Sequence, residues 1–197
     1  VSRIPIALTI AGSDSGGGAG IQADIKAMSA NGVYAASVLT ALTAQNTLGV
    51  SAIHDVPADF VAAQIDAVFS DLAVDAVKIG MLSQPDTIRA VADGLRRWRP
   101  RHVVLDPVMV ATSGAVLIAN EAVEVLVAEL FPLATVVTPN MHEAARLTGR
   151  PVSDNDAAMV GQARGILAMG TPAVLLKGGH GEGPLSRDLL LTGSGET

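Results

Sequence analysis

The 197-residue chain contains no cysteine, one tryptophan, one tyrosine and three phenylalanines. Without cysteine, disulfides, thiolate nucleophiles and cysteine-based metal sites are excluded within it. Aromatic residues make up 3% of the sequence against 49% for hydrophobic residues as a whole, so the core has to be built from Val, Leu, Ile and Ala. That balance suits a sheet covered by helices on both faces. No apolar run approaches the roughly 18 residues that read as a membrane span, and no charged-then-apolar leader opens the chain. A cytoplasmic protein with no membrane partner is expected. Basic residues are also in deficit, 13 Lys and Arg against 19 Asp and Glu, for a net charge of −6. Such a balance argues against nucleic acid as a partner. The one basic run, Arg96-Arg97-Trp98-Arg99-Pro100-Arg101, closes a helical pattern, where cations complement the helix dipole and face solvent.

Glycine, at 20 residues, is where the chain is rich. The stretch Ala11-Gly12-Ser13-Asp14-Ser15-Gly16-Gly17-Gly18-Ala19-Gly20 lies between a strand-like run, Ile6 to Ile10, and a helical one, Ile21 to Ala30. Glycine lets the backbone take positive φ and approach a ligand closely. The helix start that follows offers unpaired N–H groups and a partial positive charge, which suits an anion or a polar small molecule. No Gly-Lys-[Ser/Thr] follows, so this is not a Walker A loop, and the last glycine of G-x-G-x-x-G is missing. A plain tight turn is the competing reading.

Short β-rich runs alternate with longer amphipathic ones along the rest of the chain. Strands are predicted at Ile4–Ala11, Ala35–Leu42, Ala76–Ile79, His102–Leu105, Thr135–Val137, Ala173–Leu176 and Asp188–Leu191. Helices are predicted at Ile21–Ala30, Ala58–Leu72, Pro85–Trp98, Asn120–Leu130, Met141–Thr148 and Asp156–Met169. The alternation predicts one α/β domain over residues 1–197 with a doubly wound, mostly parallel sheet. In such sheets ligands bind beyond the carboxyl ends of the strands. Six polar or glycine-bearing segments follow predicted strands there: Gly12–Gly20, Thr43–Asn46, Lys78–Met81, Asp106–Met109, Thr138–Glu143 and Lys177–His180. Together they favour a binding cleft.

These segments, in this order, resemble the ribokinase-like vitamin kinases, specifically the hydroxymethylpyrimidine/phosphomethylpyrimidine kinases of thiamine biosynthesis. The block from Ala11 to Asp24 carries the likeness most strongly, with Thr43-Ala44-Gln45-Asn46-Thr47-Leu48-Gly49, Lys78-Ile79-Gly80-Met81, Asp106-Pro107-Val108-Met109, Thr138-Pro139-Asn140-x-x-Glu143 and Lys177-Gly178-Gly179-His180. The resemblance implies a three-layer ribokinase-like fold and a homodimer. It also implies transfer of the γ-phosphoryl of MgATP to 4-amino-5-hydroxymethyl-2-methylpyrimidine and then to its monophosphate. Pyridoxal kinases of the same superfamily and a non-catalytic pyrimidine-binding module are the alternatives.

For the pyrimidine the resemblance points to Gly12, Asp24, Gln45, Met81 and Val108. Gln45 has both a donor and an acceptor for an aminopyrimidine edge, or it caps a strand-end loop. Asp24 lies about a turn into the first helix, where the dipole alone favours a carboxylate; the functional reading has it accept from the substrate. Met81 and Val108 wall the ring, or belong to the core. On the phosphate side the resemblance assigns Asn140 and Glu143 to magnesium and its waters, although Asn followed by Glu at N3 also makes a capping box. Asp106 orients magnesium-bound water or phosphate, or makes an Asx turn before Pro107. Lys177 meets a nucleotide phosphate, or snorkels out of the sheet edge. Thr112 reaches the same region. The resemblance puts the anion hole and proton-accepting residue in a Gly-x-Gly-[Cys/Asp] segment opening a helix near the carboxyl end. Gly193-Ser194-Gly195-Glu196 is similar only superficially, so that segment is expected to lie outside the 197 residues.

Overall fold

A computed structural model describes residues 3–109, 118–179, 187–193 and 195–196. The strands are β1 (Ile6–Asp14), β2 (Tyr34–Asn46), β3 (Gly49–Asp55), β4 (Ala76–Ile79), β5 (His102–Leu105), β6 (Val136–Val137), β7 (Ala173–Leu176), β8 (Leu189–Thr192) and β9 (Gly195–Glu196). The helices are α1 (Gly20–Ala30), α2 (Ala58–Asp71), α3 (Pro85–Trp98), α4 (Asn120–Leu130), α5 (Met141–Thr148) and α6 (Asp156–Leu167). All nine strands join one sheet in the order β3-β2-β1-β4-β5-β6-β7-β8-β9. Pairing is parallel from β2 through β7, and antiparallel where β3, β8 and β9 attach.

The crossovers carrying α2 to α6 run one way across the sheet, and the one carrying α1 runs back. Parallel crossovers are right-handed, so α1 stands on one face and the other helices on the opposite face. Burial follows this division. The row Ile10, Ile79, Leu105 and Val137, aligned across four strands, is fully buried. On the α1 face, Thr9 is fully buried where it meets Asp24 of α1, while Lys78, Val104 and Val136 along the same row are only half-buried.

Local chemistry explains the helix bounds. Pro85 opens α3, where its missing N–H matters least, and Arg96 and Arg97 close it. These two arginines are paired with carboxylates, Arg96 with Asp93 and Glu129, and Arg97 with Asp66. Gly149, at φ 65°, ends α5 in the left-handed region.

Two predicted features need correction. The stretch Thr43–Asn46 is not a loop after β2: the strand continues through it and folds back through Thr47 and Leu48 into β3. The β3 strand was not predicted, because Gly49–Asp55 is exposed or half-buried along its whole length and has no apolar face. Gly195 and Glu196 pair antiparallel with Thr192 and Leu191 of β8. Thr112 and His180 lie outside the described residues.

Candidate active site

Asp14 organises the glycine loop. Its carboxylate accepts from the backbone N–H groups of Gly16 at 2.8 Å, Gly18 at 2.9 Å and Ala19 at 2.8 Å. Asp14 is 5% exposed. The loop N–H groups ahead of the helix start at Gly20 are thus filled by the protein's own carboxylate. A carboxylate held by three N–H donors is a strong arrangement, so the loop is fixed from within. Gly20 completes it at φ 56°, where a Cβ would lie 2.3 Å from the Gly12 carbonyl oxygen.

Next to this loop, at the carboxyl edge of β1, β2, β4 and β5, is a cleft of about 300 Å³. Gly12, Asp24, Gln45, Met81, Asp106 and Val108 all line it. The ε-methyl of Met81 packs against Gly12, where a Cβ would come within 2.7 Å of it. Gln45 reaches in from β2, its Oε1 3.1 Å from the Thr43 hydroxyl. Ser15 ties the glycine loop to this hairpin, donating to Gln45 O at 2.7 Å and accepting from Gln45 N at 2.8 Å.

Asp24 lies beyond the first turn of α1, which has no acidic residue, so its placement does not come from the helix dipole. Its Oδ2 accepts from Thr9 Oγ1 at 2.6 Å and from Lys78 Nζ at 2.8 Å. Lys78, Thr9 and Asp14 were not singled out as site residues from the sequence. The available signals were a lone cation within Ala76-Val77-Lys78-Ile79, which cannot be buried without a partner, and an acid directly before a glycine run.

Asn140, Glu143 and Lys177 form a second cluster, away from the cleft lining but joined to it through Asp106. Lys177 Nζ donates to Asp106 Oδ1 at 2.9 Å, so Lys177 does not snorkel outward. Asn140 and Lys177 are bridged between neighbouring strand ends. Asn140 Oδ1 accepts from Glu143 N at 2.9 Å, and Glu143 Oε2 accepts from Asn140 N at 2.8 Å. The capping box thus forms, leaving one Glu143 oxygen and the Asn140 amide nitrogen outside it. Burial pushes the Glu143 carboxyl above its ordinary value and Asp106 adds to the rise; the Asn140 N–H, Lys177 and the Met109 N–H oppose it. Asp106 is not held in an Asx turn: Val108 N donates to its backbone oxygen at 2.9 Å, while its carboxylate takes the lysine.

A cleft of small-molecule size abuts a lysine–carboxylate cluster at the same edge of a parallel sheet, and the fold is that of the ribokinase-like small-molecule kinases. Residues 14–197 match the phosphomethylpyrimidine kinase family, and the chain belongs to that family. A hydroxymethylpyrimidine/phosphomethylpyrimidine kinase from Rhizobium meliloti (strain 1021) is 62% identical over 188 residues, covering 95% of this chain and 70% of the relative. The phosphomethylpyrimidine kinase from Clostridium difficile 630 superposes with a TM-score of 0.89 at 46% identity, covering 98% of this chain and 83% of that one. An ADP complex of Bacillus subtilis pyridoxal kinase gives a TM-score of 0.89 at 35% identity, over 99% of this chain and 74% of that one.

Proposed function

We propose that this kinase transfers the γ-phosphoryl of ATP to the hydroxymethyl group of 4-amino-5-hydroxymethyl-2-methylpyrimidine, and then to the resulting monophosphate, in thiamine biosynthesis. The carrying observation is that Gln45, Met81, Val108 and Asp24 share one cleft with Asp106, which is ion-paired to Lys177. Ring recognition and phosphate chemistry thereby meet at one residue. Phosphoryl transfer requires alignment and charge neutralisation more than covalent chemistry from the protein. In this reading Met81 and Val108 sandwich the ring, and Gln45 reads its amino edge. Lys177 leaves Asp106 to meet a nucleotide phosphate as a point charge.

The fit of magnesium can be judged from the oxygens present. Among the described residues no group of three acidic or histidine side chains could hold a metal. Asp106 has an oxygen outside its bond to Lys177, and Glu143 one outside the capping box and near the Met109 N–H; magnesium usually keeps several waters while touching one or two carboxylates. The pair therefore suits a hydrated ion. Bound there, magnesium would supply positive charge to the nucleotide phosphates. Asn140 holds Glu143 in position for it. A single ribokinase-like domain, a homodimer and a cytoplasmic location belong to the same reading. Among the described residues, no helix is long and apolar enough to cross a membrane.

The resemblance to a pyridoxal kinase at 35% identity favours a second reading, phosphorylation of pyridoxal. ADP release measured with each acceptor decides. The pyrimidine is expected to be the better acceptor by kcat/KM; a preference for pyridoxal overturns the first reading. Stabilisation by the pyrimidine with no ADP released from either acceptor would make the chain a binding module instead.

A further inference from the structure

Lys78 is a charge in the cleft with no task in the reaction described so far. It lies on β4, aligned with Thr9 of β1, and its side chain is 24% exposed. A Cβ on Gly80 would come within 2.9 Å of its Nζ, so the ammonium lies over the Gly80 backbone, and Lys78 lines the cleft with Met81 and Asp106. An ammonium has three donors. Among the described residues only one has a partner, Asp24 Oδ2 at 2.8 Å. The other two are left for whatever enters the cleft.

A neutral pyrimidine alcohol has no need of a full positive charge. Its monophosphate does, because a phosphate monoester carries roughly two negative charges near neutral pH. That ligand would enter a cleft already bordered by the carboxylates of Asp24 and Asp106. Lys177 pairs with Asp106, stands outside the cleft lining and is given to the nucleotide in the function proposed above. Lys78 is the lining cation, and its partner's charge is drawn back toward the sheet by the fully buried Thr9, which donates to the same oxygen.

We infer that Lys78 forms the phosphate-monoester subsite of the acceptor cleft and makes the monophosphate usable as the second acceptor. This rests on the function proposed above. The covalent step balances without a base. A non-bridging oxygen of the monophosphate forms a bond to the γ-phosphorus, the bond from that phosphorus to the bridging oxygen breaks, and ADP leaves with the electron pair. The attacking dianion has no proton to give up. Lys78 is a binding and positioning group in this step, placing the oxygen and offsetting repulsion between two phosphates.

The test compares the alcohol and the monophosphate as separate acceptors in Lys78→Gln and Lys78→Arg. Lys78→Gln is expected to lose about tenfold more kcat/KM on the monophosphate than on the alcohol, through KM, as charge-assisted hydrogen bonds to phosphate predict. Lys78→Arg should recover most of that difference. Equal losses on both acceptors, or a larger loss on the alcohol, would overturn the assignment. Should Lys78→Gln fail to fold, Asp24→Asn reads the same subsite by releasing the ammonium from its ion pair. It should shift preference toward the monophosphate, and an unchanged ratio would count against Lys78. Wild-type protein that phosphorylates neither compound refutes the functional reading itself, whatever the variants do.

Discussion

Glu143 lies 5% exposed at the first turn of α5, where it caps the helix. As a capping residue it needs only an acceptor oxygen for the Asn140 N–H, whereas the magnesium role proposed for it requires ionisation. Burial raises its pKa, so the native state holds the proton more tightly than the unfolded chain does. The linked stability is fully present below the unfolded carboxyl value and is lost as pH rises through the folded one. Melting temperature followed against pH should show that loss in the wild type, and Glu143→Gln should flatten it; identical profiles would remove the burial argument. Part of this was legible in the sequence. The Asn-x-x-Glu spacing offered a capping box and the resemblance a metal role, and the structure forms the box. Lys78 was harder to see, because its partners Asp24 and Thr9 come from other elements and only the fold brings them together.

At the level of elements, α3, α4 and α5 fall where the sequence predicts them, because proline, asparagine and glycine mark their ends and their apolar positions recur at helical spacing. The β2–β3 hairpin was the main loss. The β3 strand, exposed or half-buried along its length, gave no strand signal, so its partner segment at the end of β2 read as a loop and Gln45 as a loop residue, when Gln45 is held in a paired strand. The consequence for recognition is rigidity: Gln45 is fixed by its ladder, by Ser15 and by Thr43, and not by a flexible turn. The glycine loop, by contrast, announced itself by composition while concealing its wiring. Gly20→Ala tests that wiring. It would force a side chain into positive φ and against the Gly12 carbonyl, which costs on the order of 1–3 kcal/mol. Chemical denaturation should show this loss together with weaker pyrimidine binding, and a variant of unchanged stability would mean the loop can rearrange freely.

Across the whole molecule the two halves of the site come from different halves of the chain. Among the described residues, those lining the cleft lie between Ala11 and Val108, while Asn140, Glu143 and Lys177 follow later. Substitutions should divide accordingly. Gln45→Ala should weaken acceptor binding by ~1–3 kcal/mol, the usual cost of leaving a polar edge unpaired, with little change in the KM for ATP. Lys177→Ala should do the reverse, impairing ATP use more than pyrimidine affinity. Titration calorimetry and steady-state kinetics on the two variants check the division, and a shared phenotype would show that the halves act as one unit. The fold class was legible because strand–helix alternation is a property of the whole chain. Which residues would share a cleft was not, since that depends on strand order, and β1 sits between β2 and β4.

Among the described residues, Asp106 alone both lines the cleft and pairs with the later cluster. A lineage could therefore retune its taste in vitamins by editing the early turns and their hairpin, leaving the nucleotide machinery untouched so long as that one aspartate stays. Kinases for a pyrimidine and for pyridoxal built on one chassis are what such an arrangement allows.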